Sequence, residues 1–295
     1  MAITAAQVKE LRDKTGAGML DCKNALAESD GDIEKAIDWL REKGIAKSAK
    51  KAGRIAAEGL TKVLVDGNKA VLVEINSETD FVAKNDQFLK LLDDTCATIV
   101  KSDAKTNEEA LALACNGATL NDEFVNATAT IGEKIVLRRF EVLTKTDDQV
   151  FGDYIHMGGK TSALCVMEGG DGELAHHIAM QVASMQPTYV SADEMPAEIV
   201  ERERKVQTEI VNADEKFVGK PEQVIKGAIE GKVSKALKDM CLVDQEYFLD
   251  SAKKVSQVLK EANASCKSFA RYLVGEGLEK REENFADEVA KQMNA

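Results

Sequence analysis

The sequence predicts an α+β protein, because its hydrophobic pattern changes from helical to strand periodicity more than once. Residues 1–54 carry apolar residues at helical spacing, and residues 60–76 then alternate with period two around a glycine turn. A second succession of hairpin, helix and strand begins near residue 150. Only three prolines occur in 295 residues, which leaves room for long helices.

The first segment, residues 1–54, is predicted to form three short helices. Thr4 and Gln7 have the spacing of a capping box at the start of the first helix. Two glycine-containing breaks separate the helices, Thr15–Gly18 and Ser29–Gly31, and the third helix is expected to end at Gly44. A bundle this small buries few side chains, so its exposed apolar residues are candidates for a partner surface.

The next segment, residues 55–144, is predicted to form a first core subdomain. Two period-two runs, Leu60–Val65 and Lys69–Asn76, flank Asp66-Gly67-Asn68, which is a strong hairpin signal. A helix follows with its apolar stripe at Phe88, Leu91, Leu92, Cys96 and Ile99. Two weaker helices near 107–115 and 120–130 lead to a strand at 134–143.

The same order recurs in a second core subdomain, residues 145–186 and 242–277, which indicates an internal duplication. Its predicted elements are a hairpin at 150–156 and 161–167, a helix at 172–185 and a strand at 267–274.

An insertion at 187–241 interrupts this second unit and is predicted to be an antiparallel helical hairpin, or coiled coil, with a turn at Gly219-Lys-Pro221. Its first helix has an apolar stripe at Ile199, Val206, Ile210, Ala213 and Phe217. Gly227 and Gly231 lie on one face of the second helix, which would permit a close backbone approach. A last helix is predicted at 281–294, within the C-terminal segment 278–295.

Composition argues against several classes of protein. The net charge is −12 and aromatic residues make up 5%, so direct binding of nucleic acid is disfavoured. None of the six cysteines forms a CxxC pair, so we expect reduced thiols in a cytoplasmic protein rather than a metal or redox site. No signal peptide or membrane span is expected, because no run approaches about 18 apolar residues.

The sequence contains no complete motif of a known class of enzyme. Met157-Gly-Gly-Lys-Thr-Ser162 resembles the end of a P-loop, but Tyr154 stands where the first glycine is required, so a hairpin turn is favoured. His176 and His177 are adjacent and would project from different faces of a helix, so they cannot chelate one metal ion. No cofactor is therefore expected, and the protein is not expected to be an enzyme.

The run Thr79-Asp80-Phe81-Val82 is the most informative short segment. In an ordinary structural interpretation, Thr79 or Asp80 caps a helix while Phe81 and Val82 lie in the core. From the residues alone, this interpretation is preferred.

Several segments together resemble the elongation factor Ts family. The most specific are Thr15-Gly-Ala-Gly-Met-Leu-Asp-Cys-Lys-Asn-Ala-Leu26 and Glu74-Ile-Asn-Ser-Glu-Thr-Asp-Phe-Val-Ala-Lys-Asn85. Gly31-Asp-Ile-Glu-Lys-Ala-Ile37, Lys50-Lys-Ala-Gly53, His177-Ile-Ala-Met180 and Val274-Gly-Glu-Gly277 also fit. Order and spacing agree over nearly the whole chain.

The resemblance implies a factor that binds the GTPase elongation factor Tu, GDP-bound or nucleotide-free, and promotes exchange of GDP for GTP. Residues 1–54 would be a ubiquitin-associated-like domain that docks on the GTPase through Arg12, Met19, Leu20 and Lys23. Thr79, Asp80, Phe81 and Val82 would dislocate Mg²⁺, with Phe81 as the wedge. His156 would contact a β-barrel domain of elongation factor Tu. A homodimer or a heterotetramer with that partner is possible.

The chain departs from the family pattern after His156, where Met157-Gly-Gly-Lys160 replaces Gly-Arg-Ile-Gly. Lys160 supplies a charge there but not the planar fork of an arginine. Two other classes remain open: a scaffold that binds partners through the helical hairpin, and an enzyme whose site no motif reveals.

Overall fold

Helices and antiparallel strands alternate along the chain, which confirms the α+β class. The structure, a computed structural model, describes residues 3–279. The first part contains α1 (Ala5–Thr15), α2 (Met19–Glu28), α3 (Ile33–Lys51), β1 (Glu58–Asp66), β2 (Lys69–Ser77), α4 (Asp86–Val100), α5 (Asn107–Leu111), β3 (Ala114–Cys115), β4 (Ala118–Thr119), α6 (Leu120–Ile131) and β5 (Val136–Thr144). The second part contains β6 (Gln149–His156), β7 (Thr161–Glu168), α7 (Gly172–Met185), α8 (Ala197–Ala213), α9 (Glu222–Asp239), β8 (Glu246–Tyr247), β9 (Asp250–Lys254), α10 (Val255–Glu261) and β10 (Ser265–Leu273). The helix predicted at 281–294 lies outside the described residues.

Helices α1, α2 and α3 pack around a small apolar core. The Thr4 hydroxyl accepts from the backbone N–H of Gln7 at 3.3 Å, and the Gln7 side chain accepts from the Thr4 N–H at 3.0 Å. These bonds confirm the predicted capping box. The buried residues of this core are Leu11, Ala17, Cys22, Ala25, Leu26 and Ala36.

The prediction that Gly44 ends the third helix is wrong, because α3 continues to Lys51. Gly44 is buried against α6, where a Cβ placed on it would lie 3.5 Å from the Cβ of Ala129. The missing side chain lets the two helices approach, and this packing outweighs the low helix propensity of glycine.

The first sheet has the order β1-β2-β5, with all neighbours antiparallel. The predicted hairpin is confirmed, since Asp66 pairs with Lys69 across a two-residue turn. Helix α4 packs across β1 and β2. Its large buried side chains are Phe88, Leu91, Leu92, Cys96, Ile99 and Val100, which confirms the predicted stripe.

The second sheet has the order β10-β7-β6 and is also antiparallel. Helix α7 packs on β6 and β7. In both sheets the third strand pairs with the second strand of a hairpin, and a helix follows that hairpin. This shared order agrees with a duplication, while the division at 54, 144, 186, 241 and 277 stays a prediction.

The two sheets share a core formed by Val63, Ala70, Leu72, Leu164, Ala270 and Tyr272. A polar contact also joins them, because the Thr61 hydroxyl donates to the Gly159 carbonyl at 2.8 Å and lies 2.7 Å from the Ser162 hydroxyl. Gly159 comes within reach because it has φ 101° and no side chain.

Glu74 is completely buried, and its carboxylate links both sheets. Oε1 accepts from Arg138 at 2.9 Å and from the Gly275 backbone N–H at 2.8 Å, while Oε2 accepts from Arg139 at 2.6 Å. The arginines belong to β5, and Gly275 follows β10. Full pairing offsets the cost of removing this charge from water.

The insertion forms the helical pair α8 and α9, but two details of the prediction are wrong. Val206 and Ile210 are 43% and 45% exposed, and the buried residue of α8 is Val211 instead. Arg204 of α8 pairs with Glu230 of α9 at the surface. Gly227 and Gly231 permit no close approach, because a Cβ on either would face open space.

The insertion leaves and re-enters the second unit at one place. Tyr189 and Cys241 form a parallel bridge, and the Leu242 N–H donates to the Tyr189 carbonyl at 2.9 Å. The Thr188 N–H donates to the Met240 carbonyl at 2.9 Å. Hydrogen bonds therefore join the two chain segments that enter and leave the helical hairpin.

Several short elements differ from the sequence prediction. The helix predicted at 107–115 ends at Leu111. A short hairpin follows, in which β3 and β4 have two residues each. The strands β8 and β9 and the helix α10 were not predicted. They lie between the helical pair and β10 and cover one side of the second core, where Tyr247, Val255 and Leu259 are buried.

Candidate functional site

Phe81 projects from the turn that follows β2. Its side chain is 78% exposed, whereas the neighbouring Val82 is only 6% exposed. The interpretation that placed Phe81 in the core is therefore wrong, although Val82 is a core residue. Placing the helix cap at Thr79 or Asp80 is also wrong, because a 3₁₀ turn at 82–84 intervenes and Asn85 caps α4.

Hydrogen bonds fix the part of the Phe81 turn that directly follows β2. The Thr79 N–H and hydroxyl donate to the two carboxylate oxygens of Glu133, at 2.9 Å and 2.7 Å. The Ser77 hydroxyl donates to the Thr79 carbonyl at 2.9 Å. Asp80 is exposed between these contacts and Phe81. An acidic and an aromatic side chain thus stand next to each other on a fixed turn.

A second set of contacts ties this region to the end of α3. The Lys134 ammonium donates to the carbonyls of Ala52 and Arg54, at 2.7 Å and 2.9 Å. Arg54 pairs with Glu78 at 3.2 Å, and Glu78 accepts from the Lys134 N–H at 2.6 Å. The N-terminal helices and the Phe81 turn are therefore joined by a continuous network.

An apolar groove lies on α1 and α2. Met19 and Leu20 form the start of α2 and are 62% and 71% exposed. The buried residues of α2 come later in the helix, from Cys22 onward. Arg12 and Lys23 line the same groove, as do Ile3, Ala5, Val8, Lys9 and Asp13. All four residues predicted for docking therefore lie together, with apolar side chains flanked by mostly basic ones.

His156 lies at the end of β6 in an exposed aromatic cluster. Its Nδ1 is 3.0 Å from the Tyr154 hydroxyl, and the ring of His176 meets Tyr154 edge-on with centroids 5.7 Å apart. Met157, with φ 48°, is 74% exposed beside it. Such a surface can bury aromatic and thioether area against a partner while its polar atoms remain paired.

The glycine-rich turn after His156 is a hairpin turn, as expected from the missing first glycine. Lys160 in this turn donates to Glu58 at 2.7 Å, so its charge is engaged in a contact between the sheets. It does not stand free in place of the family's arginine.

The predicted residues form three separate groups: the groove, the Phe81 turn and the His156 cluster. Within residues 3–279, no hydrogen bond or ion pair joins a residue of one group directly to a residue of another. The arrangement therefore suits a broad contact with a macromolecule at several points, rather than the enclosure of a small substrate.

In the described part of the chain, no three His, Cys, Asp or Glu side chains are placed to hold a metal ion. Between residues 3 and 279, no helix has the length and apolar character needed to cross a membrane. His176 and His177 have ring centroids 6.3 Å apart on α7.

Sequence reasoning missed Glu133, Lys134 and Tyr154 at these sites. Glu133 and Thr79 are separated by 54 positions, and no local pattern signals a contact across such a distance. The sequence does contain the glycine that ends α6, Gly132, which marks Glu133 and Lys134 as polar residues at a helix end but does not identify their partners.

One known family matches the chain. The sequence profile described as Elongation factor TS matches residues 78–276, which is more than half of the 295-residue chain. The matched region begins just after β2 and contains the Phe81 turn, the β6–β7 hairpin and the His156 cluster. The chain therefore belongs to the elongation factor Ts family, whose members are translation elongation factors that act as guanine nucleotide exchange factors.

Proposed function

We propose that the protein binds elongation factor Tu·GDP and accelerates GDP release. In this proposal, Phe81 inserts between structural elements of elongation factor Tu that support its bound Mg²⁺ and phosphate. The observation that carries this proposal is the 78% exposure of a phenylalanine on a turn held by hydrogen bonds. An exposed aromatic side chain of this kind buries a large apolar area on contact and has few rotamers to immobilise. Asp80 fixes the approach by a polar contact, and Thr79 and Val82 hold the turn.

The binding energy comes from several contacts at once. An exchange factor must bind the nucleotide-free GTPase more tightly than the GDP-bound form, and linkage then weakens nucleotide binding by the same factor. The groove of Met19 and Leu20 docks on the GTPase domain, with Arg12 and Lys23 at its rim. His156 contacts a β-barrel domain of the same partner. In this layout, residues 1–54 act as a ubiquitin-associated-like docking domain, and two duplicated subdomains form the core.

The test is release of a fluorescent GDP analogue from purified elongation factor Tu, measured by stopped flow with and without the protein. We expect the release rate to rise with the concentration of the protein and then to saturate. Chelation of Mg²⁺ with EDTA should reduce the difference between the two conditions, because the metal is then already absent. An unchanged release rate with folded protein would reject the proposal.

A further inference from the structure

Glu133 makes a two-point contact with the turn that presents Phe81. It follows Gly132, the glycine that ends α6, and its side chain is half-buried. One carboxylate oxygen accepts from the Thr79 N–H at 2.9 Å, and the other accepts from the Thr79 hydroxyl at 2.7 Å. Hydrogen bonds to an ionised acceptor are stronger than neutral ones. Thr79 is therefore fixed through both its backbone and its side chain.

The exposed dipeptide Asp80-Phe81 lies between two anchored residues. On one side is Thr79, whose carbonyl also accepts from the Ser77 hydroxyl at 2.9 Å. On the other side is Val82, which is buried and begins a 3₁₀ turn. The Phe81 side chain is largely exposed, so its own packing contributes little to its position. Its direction is set by these two anchors.

The adjacent residues Glu78 and Lys134 also form a hydrogen bond, with donor and acceptor exchanged between the two segments. The Lys134 N–H donates to the Glu78 carboxylate at 2.6 Å, while Glu133 accepts from Thr79. Residues 133–134 and 78–79 thus exchange bonds in both directions. Of these bonds, those of Glu133 lie nearest to Phe81 in the chain.

We propose that Glu133 is a positioning residue for nucleotide exchange, which acts by fixing Thr79 and thereby the direction of Phe81. This inference rests on the proposed wedge function of Phe81. A turn that is ordered before binding loses less conformational entropy in the complex than a loose one. Glu133 itself need not touch the partner for this effect.

The first experiment compares the wild-type protein with Glu133→Ala in stopped-flow GDP release from elongation factor Tu. We expect the maximal release rate to fall about tenfold, since two charge-assisted bonds are lost. The protein concentration that gives half the maximal rate should change by less than about twofold, because the groove and the His156 cluster are intact. Glu108→Ala is the matched control, since Glu108 is exposed and its side chain makes no hydrogen bond or ion pair within residues 3–279, while its backbone bond to Ala112 is kept in the variant.

The second experiment places Glu133→Ala in a Phe81→Ala background. If Glu133 acts through Phe81, the double variant should release GDP at the rate of Phe81→Ala alone. Glu133→Gln keeps one acceptor oxygen and should recover part of the rate. Thr79→Val removes only the hydroxyl donor, and it should slow release about threefold without unfolding the turn.

The outcomes separate this inference from the function on which it rests. A wild-type rate for Glu133→Ala or for Thr79→Val, with a slow Phe81→Ala, would overturn the role of Glu133 and leave the wedge intact. An equal loss from Glu133→Ala in both backgrounds would also overturn it, because the effect would not pass through Phe81. A wild-type rate for Phe81→Ala would overturn both proposals.

Discussion

Phe81 and Phe88 are seven positions apart and have opposite surroundings. Phe88 is completely buried in the first core, whereas Phe81 is 78% exposed. The apolar area of Phe81 is left in water in the free protein and becomes available when a partner covers it. Burying such a side chain contributes about 1.5–3 kcal/mol, so one residue can account for a substantial part of a binding free energy.

Changing Phe81→Ala should therefore slow catalysed GDP release by about tenfold or more, with almost no change in melting temperature. The control is Phe88→Ala, which should destabilise the fold by about 3–5 kcal/mol. Thermal melts followed by circular dichroism would be measured beside the release kinetics. A large fall in the melting temperature of Phe81→Ala would show that the side chain has a structural role instead.

The double change Met19→Asp with Leu20→Asp should weaken binding to elongation factor Tu roughly ten- to a hundredfold. Both side chains are mostly exposed, so the helices should stay folded. Ile45→Asp is a suitable control, because Ile45 is 52% exposed on α3 and does not line the groove. Affinity would be measured by titration calorimetry. Equal binding by the double variant and the wild type would remove this pair from the interface.

At the scale of elements, the insertion at α8 and α9 behaves as an appendage to the second unit. Its two ends are bridged at Tyr189 and Cys241, and its outer residues include the exposed Val218 and Val224. Val190 and Leu242, by contrast, are buried in the second core. A deletion must therefore begin inside the bridge, and cutting at 190–240 would remove a core residue.

Replacing residues 197–239 with a short flexible linker should leave both sheets folded, since the hydrogen bonds at the base remain. We expect exchange on elongation factor Tu to be largely retained. The measurement is the release rate together with a urea unfolding curve. Complete loss of exchange in a folded variant would indicate that the hairpin, with its exposed apolar residues, carries the active surface.

The elements with strong periodicity could be predicted from the sequence, and the short ones could not. The period-two runs around Gly67 and the stripe on α4 define their elements by local pattern alone. The strands β3, β4 and β8 have two residues each and depend on tertiary pairing, so no local signal identifies them. Gly44 shows the same limit, because its partner Ala129 lies far along the chain.

In the candidate site, too, some features could be predicted from the local sequence and others depend on tertiary packing. Exposed apolar residues in a small bundle could be anticipated from its size, and Met19 and Leu20 confirm that expectation. The exposure of Phe81 could not be anticipated from the residues, because an aromatic next to a valine ordinarily belongs to a core. The contact of Glu133 with Thr79 exists only once α6 and β2 have packed together.

At the scale of the whole molecule, the Glu74 network joins the two units. Its carboxylate receives bonds from β5 and from the chain after β10, and Arg139 also stacks 4.1 Å from the ring of Tyr272. Arg271 extends the network to Glu276 at 3.0 Å. A buried charge of this kind is stable only while every partner is in place.

Glu74→Ala should therefore destabilise the protein by about 3–5 kcal/mol, because it leaves two arginines without their common partner. Glu168→Ala is the control, since Glu168 pairs with Lys267 at an exposed position and should change stability little. Urea unfolding would supply both values. A loss no greater than that of the control would mean that water or Glu276 replaces the missing carboxylate.

The six cysteines are free and buried, and burial raises the pKa of several of these thiols. Burial raises the pKa of Cys96 and of Cys266 from 9.0 to about 12. A pKa raised by folding gives stability that is complete below pH 9.0 and is lost as the pH rises toward about 12. We expect the free energy of unfolding to decline in alkaline solution, and a disulfide reagent to label native thiols slowly at pH 8 and rapidly in urea. Rapid labelling of all six native thiols would contradict this burial.

The network of Lys134 and Arg54 has a consequence for the choice of partner. Because it joins the end of α3 to the Phe81 turn, the separation between the Met19 groove and Phe81 is set within the free protein. Two linked contacts reinforce each other only when the receiving sites are spaced to match. A related GTPase with both complementary surfaces at another separation would engage one of them at a time. Discrimination among similar GTPases would then depend on geometry as well as on the chemistry of each contact.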